Sequence, residues 1–147
     1  MRQSLRKSRA ILFVGLPVAL LACGSSTTAP SGNSAAGSYG AIYFVTTGSA
    51  GQRNELLAGS TLVLNLNADG TTSGHLHVAA AGGNPAFDAD MAGTWTQTAF
   101  TVTISQSVDT FVRNMSFSMS FDAAGGWDLY GDTVFSGTRI QILLKQH

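Results

Sequence analysis

The chain has 147 residues, 44% hydrophobic and only 11% charged, with eight basic and eight acidic side chains and a formal net charge of zero. Its single cysteine excludes a disulfide framework and a Cys-based zinc site. The neutral total hides an asymmetry: Arg2, Arg6, Lys7 and Arg9 crowd the start, leaving Arg53, Arg113, Arg139 and Lys145 against eight carboxylates, a net of −4. A chain so poor in clustered Lys and Arg is not built to hold nucleic acid.

Behind the basic start comes the apolar run Ala10 to Leu21, interrupted by Pro17. It is too short for a hydrocarbon core that needs about 20 apolar residues, and Pro17 weakens a continuous helix. A basic region, a short apolar region and a small residue at the end make a secretory signal over residues 1–22. Its end, Leu20-Leu21-Ala22-Cys23, resembles the lipobox of bacterial lipoproteins. That resemblance implies a diacylglyceryl thioether on the Cys23 sulfur, cleavage before Cys23 and acylation of the new N-terminus, by palmitate or a similar chain. Lipidation would consume a thiol that is otherwise awkward in an exported protein. Three acyl chains, at ~0.8 kcal/mol per buried methylene, would make a lasting membrane anchor. Gly24 stands where Asp would mark inner-membrane retention in enteric bacteria, which favours the outer membrane where the organism has one. The competing reading is an ordinary signal or anchor with Cys23 a bystander.

Residues 23–37 carry that cysteine and a stretch of Ser, Thr, Gly and Ala without a large apolar side chain after it. Such a stretch cannot bury enough surface to order itself, so it reads as a flexible tether. Residues 38–147 then form one domain, long enough for one core.

From Tyr39 onward the apolar period is two. Tyr39 to Thr47 is a first strand, and Ser60 to Asn67 puts Leu62, Leu64 and Leu66 on one face. Asn67-Ala68-Asp69-Gly70 predicts a hairpin turn, and Thr71 to Ala79 returns with Leu76 and Val78 inward. Gly93 to Thr98 leads into Phe100, Val102 and Ile104. Phe111 to Phe121 aligns Met115, Phe117, Met119 and Phe121, opposite Asn114, Ser116, Ser118 and Ser120. Trp127 to Asp132 follows, and Thr133 to Lys145 closes with Ile140, Ile142 and Leu144. The connection from Gly48 to Gly59 has room for a helical turn around Asn54 to Ala58. A second long connection runs from Ala80 to Asp90.

Eight such strands with local connections predict an all-β fold, an eight-stranded antiparallel up-and-down barrel whose closure removes exposed edges. A two-sheet sandwich would want longer crossovers. The segment Leu64-Asn65-Leu66-Asn67-Ala68-Asp69-Gly70-Thr71, followed by Gly93-Thr94-Trp95 and another strand, resembles small bacterial lipocalin-like (calycin-type) domains. True lipocalins carry Gly-x-Trp on the first strand, whereas here it falls near the fourth. The resemblance therefore implies the barrel and not a ligand.

Candidate sites divide into three. His75 and His77 share one face of a strand and would bind zinc or copper given a third ligand, such as His147 or a carboxylate; the competing reading is a polar strip beside Thr71 and Ser73. Asp88 and Asp90, near Asn84, offer oxygen ligands but lack a calcium-loop pattern. Trp95, Met115, Phe117, Met119, Phe121 and Trp127, with Met91 and Leu129, form an apolar set that either lines a ligand pocket or is plain core. Arg113 shares the face of Met115, so it belongs at the rim, a buried unpaired charge being too costly. Gly-x-Ser-x-Gly, a phosphate loop and His-Glu-x-x-His are all missing from the sequence. The expectation is a non-enzymatic, cofactor-free lipoprotein of the cell envelope. Its partners would be the membrane through Cys23 and either a small apolar ligand inside the barrel or another envelope protein outside it.

Overall fold

The computed structural model describes residues 34–147; the signal region, Cys23 and most of the tether lie outside the described residues. Ten strands follow in order: β1 (Gly37–Gly48), β2 (Gly51–Asn54), β3 (Thr61–Leu66), β4 (Thr71–Val78), β5 (Phe87–Asp90), β6 (Gly93–Gln97), β7 (Thr101–Gln106), β8 (Ser116–Phe121), β9 (Trp127–Phe135) and β10 (Thr138–Gln146). No helix interrupts them among the described residues.

The ten segments occupy eight positions around a closed antiparallel up-and-down barrel. Pairing runs β1-β3-β4-β6-β7-β8-β9-β10, and β10 returns to β1. Two positions are shared. β3 pairs the first part of β1, from Gly37 to Gly40, while β2 pairs its last part, from Val45 to Gly48. Likewise β6 pairs the start of β4 and β5 pairs its end. The short β2 and β5 were read from sequence as parts of the two long connections. The expected helical turn is present as Ala58 N–H donating to the Asn54 carbonyl at 3.2 Å.

Closure comes from an eight-pair ladder between β1 and β10, Tyr39 opposite Gln146 through Thr47 opposite Arg139, with a bulge at Ile42. Coiling also demands close backbone approach between β3 and β4. At Gly74, φ is +127° and a Cβ would meet the Val63 carbonyl oxygen at 2.1 Å, so only glycine fits.

Two expected boundaries shift. Phe111 to Asn114 form a turn rather than the start of a strand, because Phe111 is needed over the barrel end, where its ring meets Phe44 at 5.7 Å. The β9–β10 hairpin turns at Ser136-Gly137 and not at Thr133. Both residues have positive φ, 49° and 77°, as a two-residue hairpin requires.

The barrel has two ends. One carries the start of β1, the turns 67–70, 98–100 and 122–126, and the end of β10; it is called the tether end. The other carries the turns 49–50 and 136–137 and the loops 55–60, 79–86 and 107–115. At the tether end the chain enters as a plug: Ala35 is fully buried, its N–H donates to Gln97 Oε1 at 2.8 Å, and its carbonyl accepts the Tyr39 hydroxyl at 2.6 Å.

Candidate functional site

Alternation along the strands sends Leu62, Leu64, Leu66, Leu76, Val102, Ile104, Phe117, Leu129, Ile142 and Leu144 inward, and each is at most 2% exposed. These side chains form one continuous hydrophobic core. Met115 and Met119 join them in the core. Core side chains crowd Gly131 on β9, where a Cβ would meet the Met115 methyl at 2.3 Å and the Phe117 ring at 2.9 Å. The two larger side chains have taken the volume that a residue there would use.

Trp95 and Trp127 are half-buried against this core. The Trp95 indole N–H donates to the Asn67 carbonyl at 2.8 Å. Phe121, expected on the inward face, follows the right alternation but forms the last rung of the β8–β9 ladder, at the open barrel end, 61% exposed, with Trp127 edge-on at 4.8 Å. A strand's parity gives its face and says nothing of its height.

Outside the barrel, the β4–β5 register sets His77 opposite Asp88 and His75 opposite Asp90. One oxygen, Asp88 Oδ1, accepts from His75 Nε2 at 3.0 Å and from His77 Nδ1 at 2.8 Å. Asp90 Oδ1 lies 3.6 Å from His75 Nδ1. The Asp88 hydrogen bond raises the His75 pKa, and the two histidines lower that of Asp88. A carboxylate oxygen thus occupies the point on which both imidazoles converge. His147 is not the third ligand, because its ring covers Gly40 on β1. Among the described residues, no group of three His, Cys, Asp or Glu is arranged to hold a metal ion. Asn84 is tied to Ala81 instead of joining Asp88 and Asp90.

Each of the four basic side chains among the described residues is matched to a carboxylate: Arg53 to Glu55, Arg113 to Asp109, Arg139 to Asp132 and Lys145 to Asp122. Arg113 does lie at the rim, exposed. Arg139 sits in an outer-face network with Asp132, Tyr130 and Gln141. Lys145 and two turn N–H groups hold the Asp122 carboxyl down at about 2.

The opposite end holds an open cleft of about 370 Å³, lined by the small residues 48–51, by Ala81, Gly82 and Asn84, and by Arg53 and Glu55. Glu55, the chain's one glutamate, is buried and accepts from Thr46 Oγ1 at 2.7 Å and Ser60 Oγ at 2.9 Å. Sequence reasoning passed over it because it lies in a stretch without periodicity. Its oxygens tie the 55–60 loop to β1 and so are already engaged. Comparison with known protein families, curated proteins and solved structures finds no match to this chain.

Proposed function

We propose that this is a lipid-anchored cell-envelope protein whose barrel is a solid interaction module, neither an enzyme nor a carrier of small molecules. One observation carries the choice between pocket and core: ten inward side chains along the barrel, from Leu62 to Leu144, are each at most 2% exposed, with Met115 and Phe117 pressed on Gly131. A ligand site inside the barrel would need a chamber of several hundred Å³, and in the open cleft outside it Arg53 and Glu55 are paired with each other. The lipobox-like Leu20-Leu21-Ala22-Cys23 supports the anchor, and Gly24 the outer membrane as destination where the organism has one.

Two measurements test the reading. Radiolabelled palmitate should enter the wild type and not Cys23→Ala. Native mass spectrometry of the detergent-extracted protein should give the chain from Cys23 plus its acyl groups and nothing more. A stoichiometric small molecule in the spectrum would replace the solid module with a ligand carrier.

A further inference from the structure

The tether end carries exposed aromatic surface that the core does not explain. Phe100 is 76% exposed and Phe121 61%. The Phe100 carbonyl accepts the Met119 N–H at 2.9 Å, which sets Phe100 opposite Met119 and two positions from Phe121 on the adjoining strand. Phe121 in turn pairs with Trp127 on β9 and meets its ring edge-on. The three aromatics therefore form one rim across β7, β8 and β9, continued by Ala99, Ala123 and Ala124 of the turns.

The chain enters the barrel at this same rim. Gln146 accepts the Trp127 backbone N–H at 3.0 Å and donates to the Ala36 carbonyl at 3.2 Å, so a single side chain links rim and entry. Cys23 is eleven residues before Ser34. Even fully extended, that length spans at most ~40 Å. A lipid on Cys23 would keep this end of the barrel within that distance of the bilayer, since the chain enters here and the Glu55 cleft lies at the other end.

We propose that Phe100, Phe121 and Trp127 dock into the headgroup–acyl boundary of the membrane that holds the anchor. The proposal rests on the lipid-anchor reading above. Trp favours that boundary because its ring is apolar and its N–H polar, and Phe buries its ring among the acyl chains beside it. The charge at this end selects the lipid. Lys145 is taken by Asp122, and Asp69 and Asp128 add negative charge, so the contact is apolar, suits zwitterionic lipid and persists at high salt.

The test uses the full chain, purified from membranes and reconstituted in phosphatidylethanolamine–phosphatidylcholine vesicles with brominated acyl chains. The bromines should quench tryptophan fluorescence at low and high salt, and Trp127→Phe should remove most of that quenching. Phe100→Ser with Phe121→Ser should also lose most of it while palmitate labelling stays unchanged. Phe100→Ser alone, at a side chain three-quarters in solvent, guards against misfolding and should give a partial loss. Leu57→Ser, exposed at the opposite end, should change nothing. Absent palmitate would sink the anchor reading and the docking with it. Palmitate present, with quenching absent in the wild type or equal in the serine variants, would overturn the docking alone and assign the rim to a protein partner.

Discussion

The packing at Gly131 makes a coupled prediction. In the wild type a methyl at this position has nowhere to go: Met115 Cε would be 2.3 Å away and Phe117 Cε1 and Cδ1 2.9 and 3.0 Å away. The Met115 methyl can swing aside. The Phe117 ring cannot do so cheaply, being fully buried and paired between Val102 and Gly131. Gly131→Ala should therefore cost about 1–3 kcal/mol, the usual range for overpacking. For a domain of this size that lowers Tm by on the order of 5–15 °C. Phe117→Leu removes ring atoms at the same spot and should itself destabilise, since the flanking glycine has no side chain to refill the space. Combined, the two changes relieve each other, and the double variant should be more stable than the sum of the singles by roughly 1 kcal/mol or more. Thermal unfolding of the four proteins in detergent, followed by tryptophan fluorescence, completes the cycle. A neutral Gly131→Ala, or strict additivity, would mean the interior has slack and would reopen the case for a ligand chamber.

Further predictions come from polar groups. The His75 pKa is raised by Asp88, so this interaction stabilises the fold fully below the ordinary histidine pKa and fades as pH rises through the raised value. Proton NMR should place the His75 midpoint above 6.5, and Asp88→Asn should bring it down. The depressed Asp88 works in the opposite sense, its contribution fading as acid protonates it below the ordinary carboxylate range. Asp122 should titrate at about 2 by carbon NMR, with its contribution present above the ordinary carboxylate value and lost as pH falls toward 2; Lys145→Met should move the midpoint upward. Glu55→Ala leaves Thr46, Ser60 and Arg53 without their shared acceptor and should cost about 1–3 kcal/mol in thermal unfolding.

Much of the barrel was legible because a half-buried strand writes its two faces into alternate residues. Leu62, Leu64 and Leu66 on β3 and Ile140, Ile142 and Leu144 on β10 are inward as their spacing predicts, and Asp69-Gly70 does turn the chain, with the Asp69 carboxylate accepting the Thr71 N–H at 2.9 Å. What alternation omits is where a strand stops relative to the rim. Phe121 has the parity of Phe117 and an exposed environment, and that difference moves it from the core to the exposed rim of the tether end. Gly51–Asn54 offers no period to read, and the alternation of Phe87-Asp88-Ala89-Asp90 is too short to announce a strand, each segment being four residues that pair one stretch of a longer partner. His75 and His77 were read as sharing a face, but the register that sets Asp88 between them belongs to a strand that the sequence does not announce.

Gly131 joins the missed turn to the proposed function. In sequence, Gly131-Asp132 looks like the end of a strand, because glycine weakens strand interiors. In the structure it lies in the middle of β9, opposite Phe117 on one side and Ile142 on the other. The strand tolerates it because the missing side chain is replaced by the Phe117 ring and the Met115 methyl, so the local loss becomes part of a continuous core. A barrel built to hold a ligand would use such a glycine to widen its chamber. Here the space is taken by the protein's own side chains. The four cations are matched as well, the two histidines share one aspartate, and Glu55 is fully engaged. Two buried polar atoms, Gln106 Oε1 and Asp128 Oδ1, lack a hydrogen-bond partner, and Leu57, Val134 and Phe135 expose apolar surface at the other end, so what distinguishes the apolar rim beside Ala35 is its position. It stands at the end where the chain enters, which is why vesicle quenching at Phe100 and Phe121 is a more informative first experiment than a search for substrates.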